Sequence, residues 1–469
     1  EGWYLFAHQD YESRIRGGHN FFQIRLGDQP VMSWEKEVDV LVALDKTTVT
    51  LGQQELRSDG FVIYDPDVLG DQAETLLNKQ NSIALPFVRT VEELGQPKIM
   101  ANAVAAGAIW AFLSDDVSVL QKTLGTIFGN RSEEIVAGNQ LVAKAGFSKV
   151  TQMIGQRAKP AKPVHPGERL LLKGNDALPL GALAGGLKFM SAYPMTPATG
   201  VTEFIAHYGQ DAKVVMEQAE DEISAINMAI GASYTGVRAM TATSGGGFAL
   251  MTEALSLAGS AEIPIVVINA QRPGPSTGLP TRTEQGDLSF AVAMSFGDFP
   301  RAVLAPGDVE EAFYLMGEAF NLAEEYQMPV VVLSDQHLAD SYTTVTPFDL
   351  DKVEIRRGKI VSGTEAGPEY LRYKFTEDGV SPRLYPGFGE GLVVSAGDEH
   401  DEAGHLIEDG EARKKMMEKR MDKQKLVEAR ALKPVLCGSD EPEAILIGFG
   451  STKGAIAEAV ETLNKAGCK

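Results

Sequence analysis

The sequence predicts a multidomain α/β protein in which helices flank parallel sheets. Its 469 residues are enough for about two to four domains, each with its own hydrophobic core. Short apolar runs of strand length alternate with segments of helix length, and this alternation is typical of parallel sheets covered by helices. A proline-rich stretch at residues 156–166 separates two such regions, which indicates a linker between domains.

Changes in composition suggest five segments. Residues 1–155 are predicted to form an N-terminal α/β domain, and residues 156–167 an extended, solvated linker. Residues 168–345 continue the alternation of strands and helices in a second domain. An irregular insertion at residues 346–432 includes a strongly charged helix, which is either a solvated face or an interface arm. Residues 433–469 begin a further α/β domain that the chain does not complete, so we expect a longer polypeptide.

Several element predictions are specific enough to check. A helix rich in small residues is expected within residues 170–189, where close packing on a sheet would need it. Residues 329–335 are predicted as a buried strand. Residues 374–389 are predicted as a long irregular loop, and the charged helix as residues 411–430. A final strand is predicted at residues 443–450, followed by a helix.

Composition and charge exclude several classes of function. The formal net charge of −21 argues against binding to nucleic acid or to an anionic membrane surface. The two cysteines, Cys437 and Cys468, cannot supply the four thiolates of an iron–sulfur cluster and suit a reducing cytoplasm. No apolar run reaches the roughly 18 residues of a membrane span. The spacing of His400 and His405 does not favour a metal site, because Gly404 weakens the helix that would align them.

One predicted helix carries a carboxyl group at the head of an apolar face. Its first turn contains Glu220, Asp221 and Glu222, where free backbone N–H groups and the helix dipole favour negative charge. At about 3.6 residues per turn, Glu222 shares a face with Ile226 and Ala229. Glu222 is therefore either a helix-end acid in water or a carboxyl group tuned by desolvation.

The next strand is followed by a glycine-rich turn. Residues 237–243 are predicted as a buried strand and residues 243–248 as a turn that contains Ser244 and Gly245. Glycines in such a turn allow the backbone to approach a ligand closely. Because ligands of open α/β sheets lie at the carboxyl ends of the strands, this turn is a candidate binding element.

Two further loops are stiffened by proline. Arg272 follows a strand predicted at residues 263–270 and opens a proline- and glycine-rich loop that contains Thr277. A guanidinium group held there can bind a carboxylate through two parallel hydrogen bonds, or it can pair with a protein acid such as Glu284. Two prolines hold Thr196 in the other loop, where it is either a turn hydroxyl or a ligand.

Near the N-terminus, two arginines adjoin paired glycines. Such a segment can bind phosphate or carboxylate through forked donors and exposed backbone N–H groups, or it can be an arginine-bearing turn between strands. The residues concerned are Arg14, Arg16, Gly17 and Gly18.

Taken together, three motifs resemble the α subunit of 2-oxoacid:ferredoxin oxidoreductases with a fused γ domain, of the 2-oxoglutarate type. They are the loop Tyr-Pro-Met-Thr-Pro at residues 193–197, the helix led by Glu222, and Gln-Arg-Pro-Gly-Pro-Ser-Thr-Gly-Leu-Pro-Thr at residues 271–281. The resemblance implies a γ domain at residues 1–155 and a domain at residues 168–345 that binds the pyrimidine ring of thiamine diphosphate.

The resemblance also implies roles for individual residues. Glu222 would activate the cofactor through its aminopyrimidine ring, and Ser244 and Gly245 would contribute to the same cofactor site. Arg272 would bind the substrate carboxylate, with Thr196 and Thr277 donating hydrogen bonds nearby. The arginine–glycine segment of residues 14–18 would lie on the coenzyme A side. The expected reaction converts 2-oxoglutarate and coenzyme A to succinyl-CoA and CO2 while ferredoxin is reduced, and it is reversible, as in CO2 fixation by the reductive TCA cycle.

An absent motif implies a partner. The chain contains no Gly-Asp-Gly, the tripeptide that opens the motif by which thiamine enzymes hold Mg²⁺ and the cofactor diphosphate. The family divides the site between two chains, so a β subunit is expected to hold the diphosphate, Mg²⁺ and a [4Fe-4S] cluster, in an (αβ)₂ assembly that reduces ferredoxin. This chain itself is expected to bind no metal.

Three alternatives remain open from the sequence. The chain can belong to a different thiamine enzyme that passes its acyl group to a lipoyl arm. It can act on pyruvate or a branched-chain 2-oxoacid within the same family. It can also be a scaffold without catalytic residues, in which case a change of Glu222 would leave activity untouched.

Overall fold

The computed structural model describes residues 2–13, 18–73, 77, 81–164, 167–439 and 441–468. The chain forms two compact units. The first comprises Glu1–Tyr4 and Arg25–Gly167, and the second comprises Leu5–Ile24 and Glu168–Lys469. None of the helices in the described ranges has the length and hydrophobicity of a helix that crosses a bilayer.

The strands of the described chain are β1 (Tyr4–Asp10), β2 (Phe21–Gly27), β3 (Val38–Ala43), β4 (Leu56–Tyr64), β5 (Ser82–Ala84), β6 (Leu170–Lys173), β7 (Leu187–Ala192), β8 (Val215–Gln218), β9 (Arg238–Thr243), β10 (Ile265–Gln271), β11 (Ala302–Leu304), β12 (Pro329–Asp335), β13 (Tyr342–Val345), β14 (Ile360–Gly363) and β15 (Arg383–Gly389). They form sheets of order β2-β1-β13-β6, β3-β4-β5, β11-β12-β10-β9-β7-β8 and β14-β15.

The α-helices of the described chain are α1 (Lys46–Gly52), α2 (Pro66–Leu69), α3 (Phe87–Glu93), α4 (Ala101–Leu113), α5 (Ser118–Ile127), α6 (Glu133–Ile154), α7 (Gly174–Ala184), α8 (Thr199–Tyr208), α9 (Glu222–Tyr234), α10 (Gly245–Leu250), α11 (Thr252–Ser260), α12 (Leu288–Ala293), α13 (Val309–Tyr326), α14 (Gln336–Asp340), α15 (Gly410–Ala429) and α16 (Thr452–Lys465).

The first unit is built on the parallel sheet β3-β4-β5. Its two faces pack against different helices, because alternate side chains of a strand point to opposite faces. Ile63 packs with α3–α6, whereas its neighbour Val62 packs with α1 and α2. Helices α4 and α6 approach so closely that a Cβ atom on Gly107 would overlap the carbonyl oxygen of Ala143.

Residues 156–164 form no helix or strand but pack on the first unit. The indole Nε1 of Trp3 donates to the carbonyl oxygen of Ala161 at 2.8 Å, and the Arg157 guanidinium lies 4.5 Å from the centroid of the Phe61 ring. Most of its residues are nevertheless exposed, which agrees with the predicted solvated connector. Its basic side chains lie over aromatic rings, and such cation–π contacts hold the chain against the surface.

The second unit is built on the six-stranded sheet β11-β12-β10-β9-β7-β8, all of whose neighbouring strands are parallel. Every residue of β9, β10 and β12 is buried, as expected where helices cover both faces. Val266 and Ile268 of β10 pack with α7, α8 and α13, while Ile265 and Val267 pack with α9–α12. The predicted α/β fold is confirmed, and this sheet carries the candidate site.

The helix rich in small residues that was predicted within residues 170–189 is confirmed as α7, and its Gly181 packs closely against the Phe313 carbonyl of α13. Two other local predictions need correction. Residues 374–389 are not wholly irregular, because β15 pairs in parallel with β14. Within residues 441–450 no strand forms, and Ile445 and Ile447 are exposed. An apolar run needs a neighbouring strand to become part of a sheet, and the described chain provides none there.

The charged helix α15 is not simply solvated. Its Lys419 and Lys423 are almost completely buried, and their ammonium groups lie 2.5 Å and 2.6 Å from the two carboxylate oxygens of Glu262. Glu262 lies just before β10 and is itself fully buried. The charge pattern predicted exposure, but this complementary carboxylate turns one face of the helix inward.

Candidate active site

Glu222 is buried at the start of α9. The helix begins at Glu222 itself, not two residues earlier as predicted, because the Asp221 side chain caps it by accepting a hydrogen bond from Ser224 N at 2.7 Å. Asp221 thus satisfies the free N–H, and the Glu222 side chain turns inward, 3% exposed, on the same face as buried Ile226 and Ala229. Its Oε1 atom has no hydrogen-bond partner among the described residues. The water-exposed alternative for Glu222 is therefore excluded.

A glycine-rich helix start faces this carboxyl group. Residues 243–248 do not form the predicted turn, since α10 begins at Gly245. A Cβ atom on Gly247 would lie 2.6 Å from Glu222 Oε1 and would overlap Thr243 Oγ1, whereas a Cβ atom on exposed Gly246 would meet nothing closer than 3.6 Å. The Ser244 hydroxyl is fully buried and also lacks a partner among the described residues. Glu222 Oε1 and the Ser244 hydroxyl are thus both unsatisfied beside a glycine-rich backbone. In native proteins such buried polar atoms normally have a partner, which here can be a ligand or water.

Arg272 connects two of the predicted loops. It follows β10, is 9% exposed, and its Nη1 atom donates to the carbonyl oxygen of Thr196 at 2.8 Å. Burial lowers the pKa of the Arg272 guanidinium, and the nearby Glu222 carboxylate opposes that shift. The alternative pairing with Glu284 is not seen, since among the described residues the Arg272 guanidinium bonds to Thr196 O and to no carboxylate. Arg272, Thr196 and Glu222 therefore belong to one site.

The threonines contribute in different ways. Thr196 is partly buried and meets Arg272 through its carbonyl group. Thr277 is exposed on the loop that follows Arg272. That loop is folded tightly, because Leu279 N donates to Pro273 O at 3.0 Å and a Cβ atom on Gly278, which has φ of +52°, would overlap the Pro273 carbonyl. Thr277 thus lies at the surface of the site, where a second molecule can reach it.

Sequence reasoning missed a group of polar residues at the same edge of the sheet. Asn269 Nδ2 donates to Asp287 Oδ2 at 3.1 Å, and Asp287 N donates to Gln271 Oε1 at 2.9 Å. Burial raises the pKa of the Asp287 carboxyl, the Asn269 hydrogen bond opposes this, and the charge of Glu284 adds to it. A Cβ atom on Gly245 would lie 2.7 Å from Asp287 Oδ2. The signal available in the sequence was two polar side chains, Asn269 and Gln271, at the end of an apolar strand.

Two further segments stand out in the sequence, residues 14–18 and the pair His400 and His405. Arg14, Arg16 and Gly17 lie outside the described residues. Gly18 is exposed with φ of +88°, and a Cβ atom there would lie 2.7 Å from the Glu12 carboxylate. His400 is buried, with Nε2 3.2 Å from Ser260 O and Nδ1 3.1 Å from Asp401 O. No cluster of three or more metal-ligating side chains occurs in the described part of the chain.

Comparison with family models places two matches on the chain. Residues 180–419 match the thiamine diphosphate-binding family of pyruvate flavodoxin/ferredoxin oxidoreductases. Residues 1–149 match the pyruvate ferredoxin/flavodoxin oxidoreductase family. The first match contains all of α9, β9, β10 and the loop after Arg272, and therefore the whole candidate site.

Similar proteins agree with these matches. The 2-oxoacid:ferredoxin oxidoreductase subunit alpha of Saccharolobus solfataricus is 34% identical over 100% of this chain and 82% of its own length. The 2-oxoglutarate synthase subunit KorA of Methanothermobacter thermautotrophicus is 41% identical over 51% of this chain and 62% of its own length.

A solved structure extends the likeness to the fold. The 2-oxoglutarate:ferredoxin oxidoreductase from Magnetococcus marinus, with 2-oxoglutarate, coenzyme A and succinyl-CoA bound, matches with a TM-score of 0.89 and 32% identity, over 100% of this chain and 82% of that chain. The chain therefore belongs to the 2-oxoacid:ferredoxin oxidoreductase family, as an alpha subunit.

Proposed function

We propose that this alpha subunit acts on 2-oxoglutarate, converting it with coenzyme A to succinyl-CoA and CO2 while two electrons pass to ferredoxin, in a reversible reaction. The named substrates of the similar 2-oxoglutarate synthase subunit and of the enzyme from Magnetococcus marinus support this choice of 2-oxoacid. The observation that carries the proposal is the buried Glu222 carboxyl, whose Oε1 lacks a partner beside Gly247 and near Arg272.

The residues fit the aminopyrimidine ring of thiamine diphosphate. A carboxyl oxygen of Glu222 and the hydroxyl of Ser244 are buried and find no partner in the described part of the chain. Such atoms cost about 1–3 kcal/mol unless a ligand or water satisfies them. The absence of side chains at Gly245 and Gly247 lets the backbone approach the carboxyl groups of Asp287 and Glu222 closely. When bound, the cofactor supplies the carbanion chemistry that 2-oxoacid cleavage requires. Residues 168–345 would then form the domain that binds the ring.

Glu222 would hold a proton at one carboxyl oxygen, shared with the ring nitrogen of the cofactor. Its burial makes that hydrogen bond strong, because a low local dielectric reduces competition from water. Capping by Asp221 fixes the start of α9 and so fixes where this oxygen lies.

Arg272 would bind the C1 carboxylate of the substrate. Its single hydrogen bond among the described residues, to Thr196 O, orients the planar guanidinium and leaves further N–H groups for a forked contact. The hydroxyl groups of Thr196 and Thr277 would donate hydrogen bonds to the same substrate, each from its own loop.

The rest of the reaction would need a β subunit. With no Gly-Asp-Gly and only two cysteines, both exposed, this chain offers no evident means of holding Mg²⁺, the cofactor diphosphate or a [4Fe-4S] cluster. We place these groups on the partner, in an (αβ)₂ assembly, and we place the coenzyme A side on the γ domain of residues 1–155, at Arg14, Arg16, Gly17 and Gly18.

Co-expression with the β subunit tests the proposal. The purified complex should reduce ferredoxin or viologen only when a 2-oxoacid and coenzyme A are both present, with the highest kcat/KM for 2-oxoglutarate. A preference for pyruvate or a branched-chain acid would overturn the substrate assignment, and dependence on lipoamide would overturn the reaction. Calorimetry on the chain without its partner should show no micromolar binding of thiamine diphosphate with Mg²⁺.

A further inference from the structure

One buried carboxylate joins three parts of the second unit beside the candidate site. Asp335 is the last residue of β12 and lies in register with Gln271, the residue before Arg272. Its side chain is almost completely buried. Oδ1 caps α14 by accepting from Leu338 N at 2.9 Å. Oδ2 accepts from Gln285 Nε2 at 3.0 Å and from Ser451 Oγ at 2.6 Å.

Gln285 belongs to the loop that carries the proposed substrate groups. This loop, residues 272–287, begins at Arg272 and ends at Asp287, whose backbone N–H is held by Gln271. The same Nε2 atom of Gln285 that donates to Asp335 also donates to Phe449 O at 3.0 Å. The end of the loop is therefore bound both to the edge of the sheet and to a segment far along the chain.

That distant segment, residues 449–453, lies against the loop. Gly450 has φ of +57°, and a Cβ atom there would lie 3.0 Å from Gln285 Nε2, so the close approach favours glycine. Lys453 Nζ ties the segment to α13 through Asp308 at 2.5 Å and Glu311 at 2.6 Å. The segment lies outside both family matches, which cover residues 1–149 and 180–419.

We infer that Gln285, Asp335 and Ser451 are positioning residues for the 2-oxoacid, and that residues 449–453 belong functionally to the substrate site. The Asp335 side chain accepts hydrogen bonds from Leu338 N, Gln285 Nε2 and Ser451 Oγ, so one buried group joins β12, the loop and the distant segment. This inference rests on the proposed role of Arg272 and Thr277 in binding substrate. Its effect is on binding, because none of the three residues touches Glu222 among the described contacts.

The αβ complex with Ser451→Ala tests the inference. Loss of one hydrogen bond to Asp335 should raise the KM for the 2-oxoacid about two- to tenfold, with kcat and the KM for coenzyme A within about twofold of wild type. Amide hydrogen exchange of residues 279–287 should become faster, while exchange in α13 stays unchanged. Ser451→Thr keeps the hydroxyl and should restore both values.

The matched control is Thr462→Ala. It removes a hydroxyl from α16, the helix that follows the segment, where Thr462 Oγ1 donates to Glu458 O at 2.9 Å within the same helix. It should change neither KM nor exchange in the loop. If Ser451→Ala leaves KM unchanged while Arg272→Lys raises it, the positioning role is overturned and the proposed function stands. If Arg272→Lys also leaves KM unchanged, the substrate role of the loop fails, and the inference fails with it.

Discussion

A Cβ atom on Gly247 would lie 2.6 Å from Oε1 of Glu222. The start of α10 therefore leaves space for the carboxyl group that heads α9, and a side chain at this position would occupy the space that Oε1 faces. Oε1, which has no partner among the described residues, lies beside this space. The pair sets the position at which a cofactor ring can meet an acid.

Gly247→Ala should abolish cofactor binding without unfolding the chain. The added methyl group would displace the carboxyl of Glu222 and the hydroxyl of Thr243, and overpacking of this kind costs about 1–3 kcal/mol. We expect the αβ complex to lose most of its bound thiamine diphosphate and at least about a hundredfold in kcat/KM. Gly246→Ala is the control, since its Cβ would meet nothing closer than 3.6 Å. Equal losses in both variants would show that the helix start is merely intolerant of alanine.

Glu222→Gln should keep the fold and the αβ assembly but lose catalysis. Glutamine has nearly the same shape, yet its amide cannot share a proton as a carboxyl does, so activation of the cofactor should fail. Ferredoxin reduction is the measurement, with the melting temperature and the elution volume of the complex as checks on folding. Activity within a few-fold of wild type would exclude Glu222 as the activating acid and would favour a scaffold without catalytic residues.

The sequence predicted best where one local pattern decides the structure. The buried strand at residues 329–335 was predicted to the residue, because an apolar run of strand length has few alternatives. Glu222 and Arg272 were found from a helix face and a strand end. The sequence left α15 as either a solvated face or an interface arm and did not reveal its buried lysines, because the partner of Lys419, Glu262, lies 157 residues earlier. Periodicity contains no information about such distant pairs.

The site residues that the sequence did not reveal were missed for the same reason. Asn269, Gln271 and Asp335 come together only because β10 lies between β9 and β12 in the sheet, and the order of strands is not visible in local sequence. Ser451 reaches Asp335 from 116 residues away. Short motifs pointed to the candidate residues of the site, whereas they gave no sign of the residues that hold those motifs in place.

Stability should fall on mild acidification through His8. Burial, the largest cause, and the nearby His337 lower the pKa of His8 from 6.5 to about 4, with Asp10 opposing the shift. The folded protein therefore favours the neutral ring, whereas the unfolded chain takes up a proton below pH 6.5. The contribution of His8 is present above pH 6.5 and is lost progressively as the pH falls towards 4.

Thermal unfolding of wild type and His8→Gln between pH 4 and 7 checks this. The melting temperature of the variant should fall less steeply with pH, and His405→Gln, a change on the surface, should retain the wild-type slope. Parallel curves for all three proteins would show that His8 does not cause the acid sensitivity.

The buried cluster of Glu262, Lys419 and Lys423 should be essential for the docking of α15. Glu262→Gln leaves two buried ammonium groups without a counter-charge, and breaking a buried ion pair in this way costs about 3–5 kcal/mol. The midpoint of chemical unfolding should shift accordingly. Glu262→Gln combined with Lys419→Met and Lys423→Met should recover much of the loss, since neither ammonium group is then buried without a counter-charge. Lys425→Ala, which breaks an exposed pair with Asp422, should have little effect on the midpoint of unfolding. An equal shift in this control would show that the buried cluster contributes no more to stability than an exposed pair.

Arg272 separates substrate recognition from cofactor activation. Its guanidinium is held at the carboxyl end of β10 by Thr196 O, so it can meet a carboxylate with two parallel hydrogen bonds, whereas lysine offers one compact charge. Arg272→Lys should raise the KM for the 2-oxoacid. Arg272→Ala should weaken kcat/KM by about 2–4 kcal/mol, the cost of removing a buried charged partner. The thiamine and iron contents of the αβ complex should be unchanged in both variants, because neither group is proposed to contact this side chain. The contrary outcome is a lower melting temperature with a near-normal KM, in which case Arg272 only joins the two loops and the carboxylate is bound elsewhere.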